Sequence, residues 1–248
     1  MLTYASIDPA QWAAVLDTLR PLVSRAQTLE GAAQLVARGL YEALPSSTAL
    51  ARVYAVVPHG ELPGDVRAFV ADLMSGAGPT TAKEPTATMP VLALLGTYGS
   101  KPAHCDRKLS QGHKGIPLVS AAFVDAIPML ARLLRELGID LAWLDDAPEV
   151  ITRRLLGGFN GLFYVDDART VRDAKRRLVI PATDFVAEER VRTVFGMGGF
   201  YPNGTMIVCI VFTREAIPRG TVERLTSLIS MLKGETFGAV LGRRIFTT

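Results

Sequence analysis

The stretch from Arg192 to Thr213 constrains this chain more than any other. Arg192–Phe200 (RTVFGMGGF) is rich in β-branched and aromatic residues, and Thr205–Thr213 (TMIVCIVFT) is almost wholly apolar, so both read as strands with at least one buried face. Between them stand Tyr201-Pro202-Asn203-Gly204. Proline fixes φ there, and Asn-Gly tolerates the positive φ of a tight turn. The two strands are therefore neighbours in one sheet, joined as a hairpin. A helix from Phe185 leads in, and Thr221 caps a closing helix on which Val222, Leu225, Leu228, Ile229, Leu232, Thr236, Ala239 and Val240 recur at spacings of three and four.

Ahead of this stretch, Asp8-Pro9 reads as N-cap and first helical position, with Trp12, Val15, Leu16 and Leu19 on one face and Pro21 as a kink or restart. Thr28 opens a second helix that runs to Pro45. Leu50–Val57 (LARVYAVV) reads as the first strand and Pro63–Met74 as a short helix, followed by a small-residue loop over Ser75–Thr88. Met89–Tyr98 (MPVLALLGTY) is apolar on both alternations, which predicts a central strand. Residues 99–118 form a long polar connection, the kind of segment that often carries function. Ser120–Leu137 has helical periodicity interrupted at Pro128; Glu149–Leu156 reads as helix, Gly161–Val165 (GLFYV) as strand, and Asp166–Arg177 as an exposed loop or a short surface helix.

At 248 residues, 49% hydrophobic and 21% charged, the chain can bury a substantial core and is not disordered. No apolar run is long enough to span a bilayer, and the N-terminus has no basic region followed by an apolar one, so the reading is a cytoplasmic protein without a membrane segment. The net charge of +3 comes from dispersed pairs and triplets such as Lys175-Arg176-Arg177 without flanking aromatics, a pattern that argues against nucleic acid. Cys105 lies in a polar loop and Cys209 in an apolar strand, so a disulfide between them is not expected.

The segment FVAEERVRTVFGMGGFYPNGTMIVCIVFTREAIPRGTVERLTSLISMLKGETFGAVL resembles the C-terminal half of a GAF domain, the sensor module of bacterial signalling proteins. More narrowly, RVYAVVPHGELPGDVRAFV (52–70), SKPAHCDRKLSQGHKGIPL (100–118), IPMLARLLRELGID (127–140) and residues 179–219 resemble a divergent GAF-like group found at the N-terminus of sensor histidine kinases and related regulators. The resemblance implies an α/β (α+β) fold, a central antiparallel sheet flanked by helices. It divides the chain into N-terminal helices (1–45) that pack on a single GAF-like sensor domain (46–248). It also implies a non-catalytic sensor that binds a small molecule and signals through its terminal helices, commonly as a homodimer. No kinase, cyclase or DNA-binding pattern follows the closing helix in this sequence, so the output is expected from a partner in trans, such as a histidine kinase, or from a longer chain of which this is a domain.

By the same resemblance the ligand pocket lies between the sheet and its covering layer, walled by Tyr54, Leu95, His113, Phe123, Tyr164, Phe195, Met197 and Cys209. For the apolar members the competing reading is ordinary core. An alternative class, a gas or redox sensor holding a metal ion, haem or another tetrapyrrole, rests on His113 and Cys105 with His104, residue types that ligate metal ions or the iron of haem. Their spacing matches no standard finger, and the competing reading is that they hydrogen-bond the loop to the domain. In the GAF-like group His113 lies in a matching segment, whereas His104-Cys105 depart from the pattern. A third reading, a thiol-dependent enzyme, needs attacking and resolving thiols close together, and Cys209 reads as locked in a strand. Gly196-Met197-Gly198-Gly199 is followed by a hairpin rather than a helix, so it reads as a bulge or a close approach of ligand to the sheet, not as a dinucleotide loop.

Overall fold

The computed structural model describes residues 2–76, 85–145 and 160–247. Its six strands are β1 (Thr48–Pro58), β2 (Pro90–Gly99), β3 (Gly115–Pro117), β4 (Gly161–Val165), β5 (Val194–Phe200) and β6 (Met206–Thr213). They form one sheet in the order β3-β2-β1-β6-β5-β4, and every neighbouring pair is antiparallel. The hairpin is present as read. β5 and β6 pair from Val194↔Phe212 to Phe200↔Met206, and Gly204 takes φ +83° in the turn. The fold is thus α+β, a central antiparallel sheet with helices on both faces.

From Leu50 onward side chains alternate between two cores. One core takes Ala51, Val53, Ala55, Leu95, Phe195, Met197, Ile207, Cys209 and Val211. It is covered by α1 (Pro9–Ser24), α2 (Leu29–Ala43) and α8 (Ser227–Leu241), which also pack on one another. The other takes Leu50, Tyr54, Leu92, Leu94, Phe163, Val194, Val208, Ile210 and Phe212. Its cover is α4 (Ala121–Asp125), α5 (Pro128–Glu136), the 139–145 segment and the run from Val179 to Val191 that contains α6 (Thr183–Glu188). The remaining helices are α3 (Gly64–Gly76) beside β3 and α7 (Arg219–Arg224) ahead of α8.

Local chemistry explains most element ends. Asp8 caps α1 by accepting from the Gln11 amide at 2.8 Å while the Gln11 side chain accepts from the Asp8 amide, and Thr28 caps α2 through the Gly31 amide. Pro21 does not restart α1: it lies inside the helix, which runs on to Ser24. Pro128 does divide the 120–137 region, serving as first residue of α5 after the short α4. The closing helix is likewise two elements. It starts at Arg219 rather than Thr221 and breaks around Leu225-Thr226 before α8 begins.

β2 is an interior strand, as its pattern implies: it lies between β3 and β1, beside the middle pair β1 and β6, and it is apolar on both alternations because both faces of the sheet are covered. The 99–118 connection contains β3, a three-residue edge strand too short to show alternation and ended by Pro117, which has no amide to donate. The predicted helix at Glu149–Leu156 and residues 77–84 of the small-residue loop lie outside the described residues.

Candidate functional site

On the second face the cover does not meet the sheet everywhere, and a cavity of about 430 Å³ remains, within the usual size range of a small-molecule site. Its floor is Leu50, Arg52 and Tyr54 from β1, Leu92 from β2, Ile116 from β3, and Ile210 and Phe212 from β6. Ile127, Met129, Leu130 and Leu133, at the start and along α5, form the roof. Ile180, Pro181, Ala182 and Phe185 close one side, and His104, Gln111, Gly112 and His113 from the β2–β3 connection form the rim. The walls are mainly apolar, with polar groups gathered at the Arg52 end.

Arg52 is the residue that sequence reasoning passed over. Alternation in β1 carries it to the cavity face, opposite Ile210 of β6. Its Nη1 donates to the Tyr54 hydroxyl at 3.3 Å and its Nη2 to the Ser110 hydroxyl at 3.2 Å, while its Nε is buried without a partner. The rim histidines are held neutral. Burial is the main cause that lowers the pKa of each, and the Arg52 charge adds to it. The His104 ring packs edge-on against Phe185 at 5.8 Å and the His113 ring against Phe69 at 6.2 Å. His104 Nδ1 is buried and also lacks a partner.

Of the eight predicted pocket residues, the structure brings Tyr54 and His113 together at this cavity. Phe123 is half-buried against the same core but outside the cavity lining. Leu95, Phe195, Met197 and Cys209 point to the opposite face beneath the α1, α2 and α8 layer, so they are core there and not pocket wall. Tyr164 packs on that opposite face too, and its hydroxyl donates to the Ile217 carbonyl at 2.8 Å. The physical reason is parity. These residues share a strand face, and a period of two sends all of them to the side away from Arg52 and Tyr54.

The predicted metal set does not assemble. His104 and His113 both line the cavity, but the Cys105 thiol donates to the carbonyls of Gly99 and Lys101 at 3.5 and 3.3 Å. Among the described residues, no group of three or more His, Cys, Asp or Glu side chains could hold a metal ion. Cys209 is fully buried, and burial pushes its thiol up to about 12, the opposite of what an attacking thiolate requires. Of the hairpin glycines, Gly198 serves the packing of a helix rather than the approach of a ligand. A Cβ on Gly161 or on its cross-strand partner Gly198 would stand 2.6 to 3.0 Å from Leu137, so both make room for the end of α5.

One residue of the β2–β3 connection, outside the cavity lining, ties this segment to the rest of the chain. Arg107, in the same connection as Gln111 and His113, donates through Nε to Glu30 at 2.6 Å and through Nη1 to Asp65 at 2.9 Å. Glu30 opens α2 and also accepts from the Thr247 amide at 2.6 Å, and the Phe246 ring lies 5.5 Å from the Arg107 guanidinium. The amides of Leu29 and Glu30 in turn donate to the carbonyls of Arg244 and Ile245. The β2–β3 connection that carries the rim, the start of α2 and the segment after α8 thus meet at one buried cation. No helix among the described residues is long and apolar enough to cross a membrane.

No protein-family model matches the chain, and no curated protein matches it. Among solved structures, the chain is similar to a free methionine-R-sulfoxide reductase from Neisseria meningitidis in complex with its substrate, at 11% identity over 98% of each chain with a TM-score of 0.49. It is also similar to the phycoerythrobilin-bound GAF domain of a cyanobacterial phytochrome, at 12% identity over 96% of this chain and 99% of that one, again with a TM-score of 0.49. These likenesses assign no family to the chain.

Proposed function

We propose that this protein is a non-catalytic GAF-like sensor that binds a small molecule in the cavity above β1, β2 and β6. Binding is passed through the terminal helices to a signalling partner in trans, such as a histidine kinase. The observation that carries the reading is the cavity itself, enclosed between the sheet and α5 with its polar groups at one end. The junction at Arg107 supplies a route outward, because a ligand that moves the rim pulls on the start of α2 and on residues 244–247. A second copy of the chain is the proposed companion on the terminal-helix face, where Leu22 of α1 and Phe237 and Leu241 of α8 are exposed.

The test is a cavity-filling variant. Met129 is half-buried on the cavity roof, so Met129→Trp places an indole in the space at an expected overpacking cost of about 1–3 kcal/mol. A small-molecule library screened by thermal shift is expected to give ligands that stabilise the wild type and leave Met129→Trp unmoved. Ligands that stabilise both proteins equally would place binding elsewhere and contradict the proposal.

A further inference from the structure

Among the described residues, the other arginines shielded from water have carboxylate partners. Arg107 pairs with Glu30 and Asp65, Arg214 with Glu189, Arg132 with Glu136 and Arg177 with Asp173. Arg52 is different: among the described residues it pairs with no carboxylate, its two hydrogen bonds go to neutral hydroxyls, and its Nε is buried and unpaired. A guanidinium kept partly from water without a counter-charge is unfavourable unless something completes it. Among the described residues it is also the only lysine or arginine lining the cavity. Gly112 lets the guanidinium lie close against the loop, since a Cβ there would stand 2.7 Å from Nη1 and 2.9 Å from Nη2. Gln111 and His113, with donor and acceptor atoms of their own, line the rim near Gly112, while Leu133 and Phe212 offer only apolar surface.

We propose that the ligand of this cavity is an organic monoanion, a carboxylic acid whose carboxylate sits on Arg52 and whose aromatic or aliphatic body lies against Leu133 and Phe212. The inference rests on the cavity being the ligand site. A planar carboxylate matches the fork of a guanidinium and forms charge-assisted hydrogen bonds with it. A single cation suits a single negative charge; a phosphate dianion would leave charge uncompensated in a mainly apolar space. The neutral rim histidines add donors and acceptors but no second charge. The Tyr54 hydroxyl, which accepts from Arg52, keeps its own proton free to donate to the bound acid.

The experiment uses matched pairs that differ only in charge: phenylacetate, indoleacetate, naphthoate and octanoate, each with its carboxamide. Thermal shift is followed by calorimetric titration on the wild type, Arg52→Gln, Arg52→Lys and Gly112→Ala. Carboxylates are expected to stabilise the wild type and to bind at least about tenfold tighter than their amides, the factor given by a charge-assisted hydrogen bond. Arg52→Gln is expected to remove that preference and Arg52→Lys to retain part of it. Gly112→Ala, which changes no polar group, is expected to weaken carboxylates by displacing the guanidinium and to leave amides unchanged. Amides that bind as well as carboxylates, or a preference that survives Arg52→Gln, would overturn the anion assignment while the cavity stands as a binding site. If neither class moves the wild type, the cavity reading fails, and the anion assignment fails with it.

Discussion

Replacing Arg107 with alanine is expected to destabilise the fold by about 3 kcal/mol, the scale seen when one partner of a buried ion pair is removed. The side chain is 3% exposed and Glu30 is 12% exposed, so the variant strands a nearly buried carboxylate, while Asp65, at 39%, returns to water at little cost. The effect should reach the C-terminus. Glu30 also holds the Thr247 amide, and Phe246 packs over the guanidinium, so residues 244–247 lose an anchor along with the rim. Urea unfolding measures the stability, and amide exchange at Thr247 measures the anchor. Arg107→Met keeps much of the apolar stem and should restore part of the packing but not the slow exchange. Unfolding within about 1 kcal/mol of wild type for Arg107→Ala would show that the network is an exposed pair in energetic terms.

Phe195→Ala is expected to cost about 3–5 kcal/mol, the usual price of emptying a buried aromatic site. Phe195 is fully buried, and its ring stands edge-on to the equally buried Tyr4, with ring centres 5.4 Å apart. The truncation therefore removes apolar area and an aromatic pair together. The variant also separates the two faces of the sheet. Phe195 lies beneath α1, α2 and α8, away from Arg52, so affinity for any cavity ligand, measured by calorimetry below the unfolding transition, should stay within about twofold of wild type, as expected for sites that share no partner. A large loss of affinity in a still-folded Phe195→Ala protein would return the site to the opposite face.

The strands were legible because their alternation and turn chemistry are local. Gly161–Val165 was read with the bounds it has, and β5 and β6 shifted by only one or two residues at their starts. The choice of face was not legible, so the predicted pocket residues divide between the two sides of the sheet. Cys209 and Ile210 are neighbours of similar hydrophobicity on opposite sides of the sheet. Nothing within a doubly covered strand says which side lies under the terminal helices and which under the cavity roof. One signal was present and unused: Arg52, a charge between Ala51 and Val53 in an otherwise apolar strand. A charged residue at a position destined to be covered asks for a partner, and its period-two neighbour Tyr54 already marked the same face. β3 and the break between α7 and α8 were missed for a different reason, since three residues carry no period and a helix break at Leu225-Thr226 interrupts a continuous apolar stripe without a Gly or Pro to announce it.

The most direct measurement is a methyl NMR titration of isoleucine-labelled protein with the tightest-binding compound from the thermal-shift screen. Ile116, Ile127, Ile180 and Ile210 line the cavity, whereas Ile207, Ile217, Ile229 and Ile245 belong to the core on the other face. The four cavity methyls should shift first and most, with smaller changes at Ile245, next to the Arg107 junction, if the rim passes the change outward. Shifts centred on Ile207 and Ile229 with Ile127 and Ile210 unmoved would contradict the account.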